Sequence, residues 1–301
     1  MQVIQEDNST FQDDFKQAKK RLKKQQKQLL FRRIMRNRGI VIGGSTMIFL
    51  SLFALFGPLI VSYDPYEMIV TDRLKAPGGD YLLGTDNFGR DLLTRMAYGA
   101  RVSLSVGLSV ALLSCLLGMI IGLLASYFRS LDNILMRICD GLMAIPGVLL
   151  AIALVAALGP KKENVIIALT IVFIPNVARV VRSAAIVVRE ETYIEAIRAQ
   201  GAKTWRIIVL HIAPNTVAPL VVQASFIFAD AIITEAALSF LGAGIPAPDP
   251  SWGNILHDGK VVIFTAWWMT VFPGILIVLS VLGLNLLGDG IRDYIDPHTT
   301  K

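Results

Sequence analysis

Long apolar runs separated by short polar segments set the first expectation for this chain. Residues 39–62, 102–128, 141–159 and 261–288 each pass without a single charged side chain. About 20 apolar residues cross the hydrocarbon of a bilayer as a helix, so these four segments are expected to be transmembrane spans. Two further stretches are apolar but interrupted. Residues 164–188 hold Pro175, Arg179 and Arg182, and residues 216–241 hold Asp230 and Glu235. In the second, the aliphatic and Phe residues contribute roughly −4 to −7 kcal/mol to insertion, and two acids at up to about +3 kcal/mol each nearly cancel that. Such a helix needs neighbours, which places it inside a bundle. The expected fold class is an all-α integral membrane protein with six transmembrane helices.

Composition agrees. Of 301 residues, 54% are hydrophobic and only 17% charged, whereas soluble domains carry about 25% charge. The net charge of +6 does not mark a nucleic-acid binder, because the basic residues cluster beside the spans. With six spans and an inner N-terminus, 21 of the 29 Lys and Arg residues fall on the inner side and 8 on the outer. Positive residues stay in the cytoplasm, so both termini are expected inside. The polar residues 1–38 read as a cytoplasmic basic tail rather than a signal peptide. Within it Phe11, Phe15, Ala18, Leu22 and Leu29 recur at helical spacing, as on a helix lying against anionic lipid or serving as a solvated, orientation-setting tail.

The remaining segments follow from turn and capping chemistry. Span one covers 39–62, and an outer loop covers 63–99. In that loop Pro77, Gly78 and Gly79 make turns, and Thr85 or Asp86 is expected to cap a short surface helix carrying Leu92, Leu93 and Met96. Residues 100–297 form the core, with a cytoplasmic loop at 189–215, and 298–301 a short C-terminal tail. Span two carries small residues at four-residue steps, from Ser103, Gly107, Ala111 and Cys115 to Gly118, Gly122 and Ser126, a pattern of close helix packing in lipid. In the outer loop 242–268, Trp252, Trp267 and Trp268 suit the headgroup layer.

The loop at 189–215 holds the candidate functional residues. Thr192 and Glu195 have capping-box spacing, Gly201 is placed to end that helix in a left-handed cap, and a second short helix is expected from Lys203 to Ile212 before Pro214 stops it. Tyr193, Ile194, Ile197, Trp205 and Ile208 are unusually apolar for a solvated loop. They mark a docking surface, or else they pack against the bundle.

Glu195, Ala196, Gly201 and Pro214 stand at the spacing of the loop through which permeases of binding-protein-dependent ABC importers dock onto their ATPase. Ile197 and Ala213 depart from that pattern. Three long stretches, LGTDNFGRDLLTRMAYGARVSLSVG (83–107), EAALSFLGAGIPAPDPSWGN (235–254) and FPGILIVLSVLGLNLLGDGIRDYIDP (272–297), closely resemble the peptide and nickel permeases, and within them the second of two pore subunits. The resemblance covers about residues 35–297. It implies an ABC importer type I permease fold in the bacterial cytoplasmic membrane, importing oligopeptides or dipeptides, with a nickel complex as the alternative cargo. It also implies a homologous second permease subunit, two ATP-binding cassette subunits carrying ATP and Mg, an extracytoplasmic substrate-binding protein, and a coupling loop in which Glu195, Ala196, Gly201, Ala202, Trp205, His211 and Pro214 take part.

No cofactor, metal or catalytic residue is expected in this chain. Gly201-Ala202-Lys203-Thr204 only imitates a phosphate loop, lacking the first glycine and the right spacing, and His211, His257 and His298 are too scattered for a metal site of the HExxH kind. An ion-coupled secondary transporter is the rival from another class. It would use Asp230 and Glu235 as a translocation path, since intramembrane acids often mark ion routes. The two are five residues apart, about 140° around a helix, so they do not share a narrow face.

Overall fold

The computed structural model describes residues 34–295 and, ahead of them, residues 19, 22, 23, 25 and 32. The basic helix expected over 11–37 falls almost wholly outside the described residues, as do residues 298–301. Among the described residues the only β pairings are two isolated bridges, Gly78 with Tyr81 and Thr85 with Asp91. Five helices are long and apolar enough to cross a membrane: α1 (Arg38–Ile60), α2 (Leu92–Tyr127), α5 (Lys162–Arg189), α7 (Thr204–Phe240) and α9 (Trp268–Ile295). A sixth span exists if α3 (Arg129–Met143) and α4 (Gly147–Leu158), bent by 93° at their junction, are counted together. Two short α-helices, α6 (Thr192–Ala199) and α8 (Trp252–Gly259), and one turn of 3-10 helix at Val70–Asp72 complete the set among the described residues.

Several local expectations need correction. The segment 141–159 is not one straight span. Pro146 has no N–H to donate and disfavours a helical Ile145, so the chain breaks there and turns sharply. The surface helix of the outer loop is absent. Asp91, not Thr85 or Asp86, caps the helix, its carboxylate accepting from the Thr94 N–H at 2.8 Å. From that cap Leu92 and Met96 run directly into α2 as buried core residues. The capping box at Thr192 does not form either. Glu191 occupies the cap position without a side-chain bond, which makes Thr192 the first helical residue. Pro214 does not stop the second cytoplasmic helix. A π-turn at Ile208–Ile212 leads into the segment that opens with Ala213 and Pro214, and α7 continues to Phe240. Span six starts at Trp268, not at residue 261.

The small-residue ladder of span two packs inside the bundle. Ser103, Gly107, Ala111, Cys115, Gly118, Gly122 and Ser126 are all buried. A Cβ on Gly118 would stand 2.5 Å from Val177 Cβ, and one on Gly122 2.6 Å from the Ala178 carbonyl, so α2 and α5 meet at backbone distance. Gly43 makes the same approach for α1 and α9, with the Gly283 carbonyl 2.5 Å from its would-be Cβ. Gly107 instead makes room for the Phe228 ring of α7, which lies 2.8 Å from its would-be Cβ. Without water to drive apolar contact, this closeness is what holds helices together in lipid.

The outer loop is tied down by charge. Asp86, 1% exposed, accepts from Arg90 Nε at 2.6 Å and from the N–H groups of Phe88 and Arg90. Arg90 also reaches Asp258 on α8 at 3.4 Å. Trp268 Nε1 donates to the Thr85 carbonyl at 3.0 Å, and Trp252 Nε1 to that of Met96 at 3.2 Å. These two indoles are therefore buried latches between elements. Only Trp267, half exposed, is free to meet a headgroup layer.

Candidate functional site

The connection between α5 and α7 is anchored on one side and open on the other. Ile194, Ile207, Ile208 and Ile212 are at most 3% exposed and pack into the bundle. Arg198 lies over the Tyr127 ring at the end of α2 (5.7 Å), and Arg189 donates to the Ser126 carbonyl. Asn215 Nδ2 bridges the His211 carbonyl (2.7 Å) and the Tyr193 hydroxyl (3.4 Å), fastening α6 to the start of α7. Part of the apolar surface expected here is thus spent on packing.

The other side is bare. Glu195, Ala196, Gly201 and Pro214 are exposed, Ala202 and His211 are half-buried, and Trp205 is 70% exposed. Gly201 ends α6 at φ +81, with its N–H bonded to the Arg198 carbonyl and the Ala202 N–H to that of Ile197 (3.3 Å), the two bonds of a Schellman cap. A Cβ at Gly201 would meet nothing within 4 Å. The backbone angle alone requires glycine there. The result is a short two-helix knob, rigidly rooted, with an exposed indole at its tip.

The charges inside the spans separate into distinct environments. Glu235 has no exposure, and its carboxylate accepts from the hydroxyls of Ser103 (3.1 Å) on α2 and Ser239 (2.8 Å) on α7. Asp230, also on α7, points away from the bundle, and its carboxylate has no partner among the described residues. Of the two acids offered for a translocation path, Glu235 is enclosed within the chain and Asp230 reaches its surface.

Arg179 and Arg182 find acids on α3 that sequence reasoning did not pair with them. Arg182 holds Asp132 through two bonds of 2.5 and 2.6 Å, and Arg179 reaches Asp140 at 2.5 Å. The signal was present: acids eight residues apart on one segment and arginines three apart on another both form single faces of a helix. A second feature missed in sequence is a groove of about 490 Å³ bordered by α5, α7 and α9, with Pro219, Gln223, Phe226 and Arg292 among its walls.

Residues 114–301 match the family model of the binding-protein-dependent transport system inner membrane component, and residues 25–77 match that of the N-terminal TM domain of oligopeptide transport permease C. The dipeptide transport system permease protein DppC of Escherichia coli (strain K12) is 46% identical over 270 residues, covering 87% of this chain and 90% of that protein. DppC of Alkalihalophilus pseudofirmus is 44% identical over 268 residues, covering 89% and 88%. Among solved structures, a chain of the inward-facing MetNI methionine ABC transporter superposes with a TM-score of 0.56 at 21% identity, covering 66% of this chain and 95% of its own, a likeness of fold.

Proposed function

This chain belongs to the family of inner membrane components of binding-protein-dependent transport systems, and we propose that the cargo it passes is a short peptide, taken inward across the bacterial cytoplasmic membrane at the expense of ATP hydrolysed elsewhere. The chain is the permease. Its relatives named for dipeptide transport support the peptide reading. A nickel complex is the alternative cargo. On this reading the chain pairs with a homologous second permease, two ATP-binding cassette subunits sit on the cytoplasmic side, and an extracytoplasmic binding protein delivers the substrate.

One observation carries the coupling role: the knob of α6 and the start of α7 exposes Glu195, Ala196 and Trp205 while burying Ile194, Ile207 and Ile212 into α2, α5 and α7. A push on Trp205 is passed directly to the span that bears Asp230, because α7 is continuous from Thr204 to Phe240. An exposed apolar tip on a rooted base is the shape of a docking element. ATPase subunits gripping it would convert closure on ATP into movement of α7 and α5.

The test is uptake of a labelled dipeptide by cells carrying the complete transporter, with the proton gradient collapsed and ATP maintained. Uptake should persist, and it should vanish when the ATPase subunits are inactivated. Uptake that follows the proton gradient instead would establish the ion-coupled rival. Uptake of a nickel complex without peptide would leave the permease role and replace the cargo.

A further inference from the structure

Asp230 and Arg292 are among the charged groups on the long helices that have no side-chain partner among the described residues. Asp230 is exposed on α7, and Arg292, in the last turn of α9, is exposed with no ion pair or hydrogen bond among the described residues. Between them lies the groove of about 490 Å³, walled by Val180 of α5, by Pro219, Val222, Gln223 and Phe226 of α7, and by Arg292. Helical geometry puts Pro219, Gln223, Phe226 and Asp230 within about 60° of one another. They form one stripe, on which Asp230 stands a single turn beyond the groove, roughly 10 Å along the axis from Gln223.

An unpaired carboxylate at this depth is costly against acyl chains, so such groups face water or an oppositely charged partner. The stripe therefore does not suit lipid: it would place Asp230 and the Gln223 amide in hydrocarbon. It suits a solute that carries one charge of each sign with apolar substance between. We propose that the groove between α5, α7 and α9 is the inner section of the translocation path, and that it takes a zwitterionic peptide with its carboxylate toward Arg292 and its ammonium toward Asp230. The inference rests on the peptide reading above and deepens it. A mostly apolar floor with a charge at each end recognises the termini that all peptides share and ignores their side chains, which is what a sequence-tolerant path requires. No strong site is needed, since cargo must leave as readily as it enters.

The experiment uses the complete transporter in inside-out vesicles, with Cys115 and Cys139 replaced by alanine and Gln223→Cys introduced. Hydrophilic thiol reagents of matched size, one anionic and one cationic, are applied from the exposed cytoplasmic side. Both should react at Gln223→Cys, the anionic one several-fold faster, and Arg292→Gln should abolish that preference. At Thr234→Cys, one turn beyond Asp230, the cationic reagent should be the faster, and Asp230→Asn should equalise the two. Should Gln223→Cys fail to reach the membrane, Ala218→Cys reports the same groove. In uptake assays Arg292→Gln should reduce peptide transport by roughly tenfold, the worth of one charge-assisted hydrogen bond, with ATP hydrolysis retained. A groove that neither reagent enters while Trp205→Cys reacts is filled by lipid or by a helix of the second permease, and that overturns the inference. Equal rates for both reagents overturn it too. Peptide import by the wild type alongside either result removes this inference alone, whereas a wild-type complex that imports no peptide removes the reading beneath it.

Discussion

The carboxylate of Glu235 accepts a hydrogen bond from the Ser103 hydroxyl at 3.1 Å, across 132 positions of sequence, with neither residue exposed at all. The same serine hydroxyl accepts from the Trp252 N–H at 3.3 Å, so α2, α7 and α8 meet at one polar point in an apolar interior. A buried polar group is costly unless its bonds are made, and here they are made within the chain.

Glu235→Ala should therefore act on stability. It leaves the hydroxyls of Ser103 and Ser239 without their acceptor, at about 1–3 kcal/mol for each stranded group. Glu235→Gln keeps an acceptor oxygen and should be milder. Thermal unfolding of the purified complex in detergent should rank wild type above Gln and Gln above Ala, with transport per folded molecule close to wild type. A Glu235→Ala chain of normal stability that has lost transport would instead place this acid on the path.

Gly201→Val is the test of the coupling knob. At φ +81 a β-branched residue is strained by about 1 kcal/mol or more, while the surrounding space is empty. That cost is small for a bundle of this size, so membrane abundance should be normal. The chain leaving the cap takes a new angle and carries Trp205 off the surface that meets the ATPase. Import should fall and ATPase co-purification weaken, with Gly201→Ala less affected. Wild-type import by Gly201→Val would show that the knob is not the coupling element.

Orientation can be read by thiol labelling. Both native cysteines, Cys115 and Cys139, are buried, which keeps the background low. Cysteine placed at Gly78 or Pro248 should react with an impermeant reagent added to sealed cells, and cysteine at Lys203 should react only after permeabilisation. Labelling at Lys203 in sealed cells would reverse the orientation inferred from the charge count.

The outer loop should loosen in acid. Lys75, at 2.6 Å, and then the Tyr81 hydroxyl, also at 2.6 Å, hold the Asp72 carboxyl below its ordinary value of 3.8. A carboxylate held low in the folded loop contributes stability that is complete above the ordinary value and is lost as pH falls through the lowered one. The Tyr81 hydroxyl, raised chiefly by its bond to Asp72, stays protonated throughout. Hydrogen exchange over residues 63–85 should rise as pH drops below about 4, after correction for the intrinsic rate. Asp72→Asn should flatten that dependence. An unchanged pH profile in Asp72→Asn would detach the loop's order from this carboxylate.

Hydropathy alone determined that the chain crosses a membrane and roughly where. The transfer energy of an apolar run is summed over its own residues and needs no knowledge of neighbours. Gly201 was legible for a similar reason, since a left-handed cap is a local backbone demand. So was the ladder from Ser103 to Ser126, whose spacing marks a face whatever it packs on. The tertiary structure alone decided which acid is enclosed and which is open. Glu235 takes hydrogen bonds from serines on α2 and α7, and Asp230 has no side-chain partner among the described residues, a difference that no window around residues 230–235 contains. Arg179 and Arg182, likewise, are oddities within their span until α3, turned at Pro146, brings Asp140 and Asp132 against them. Charges in hydrocarbon take their meaning from partners distant in sequence, and only the packed bundle identifies those partners.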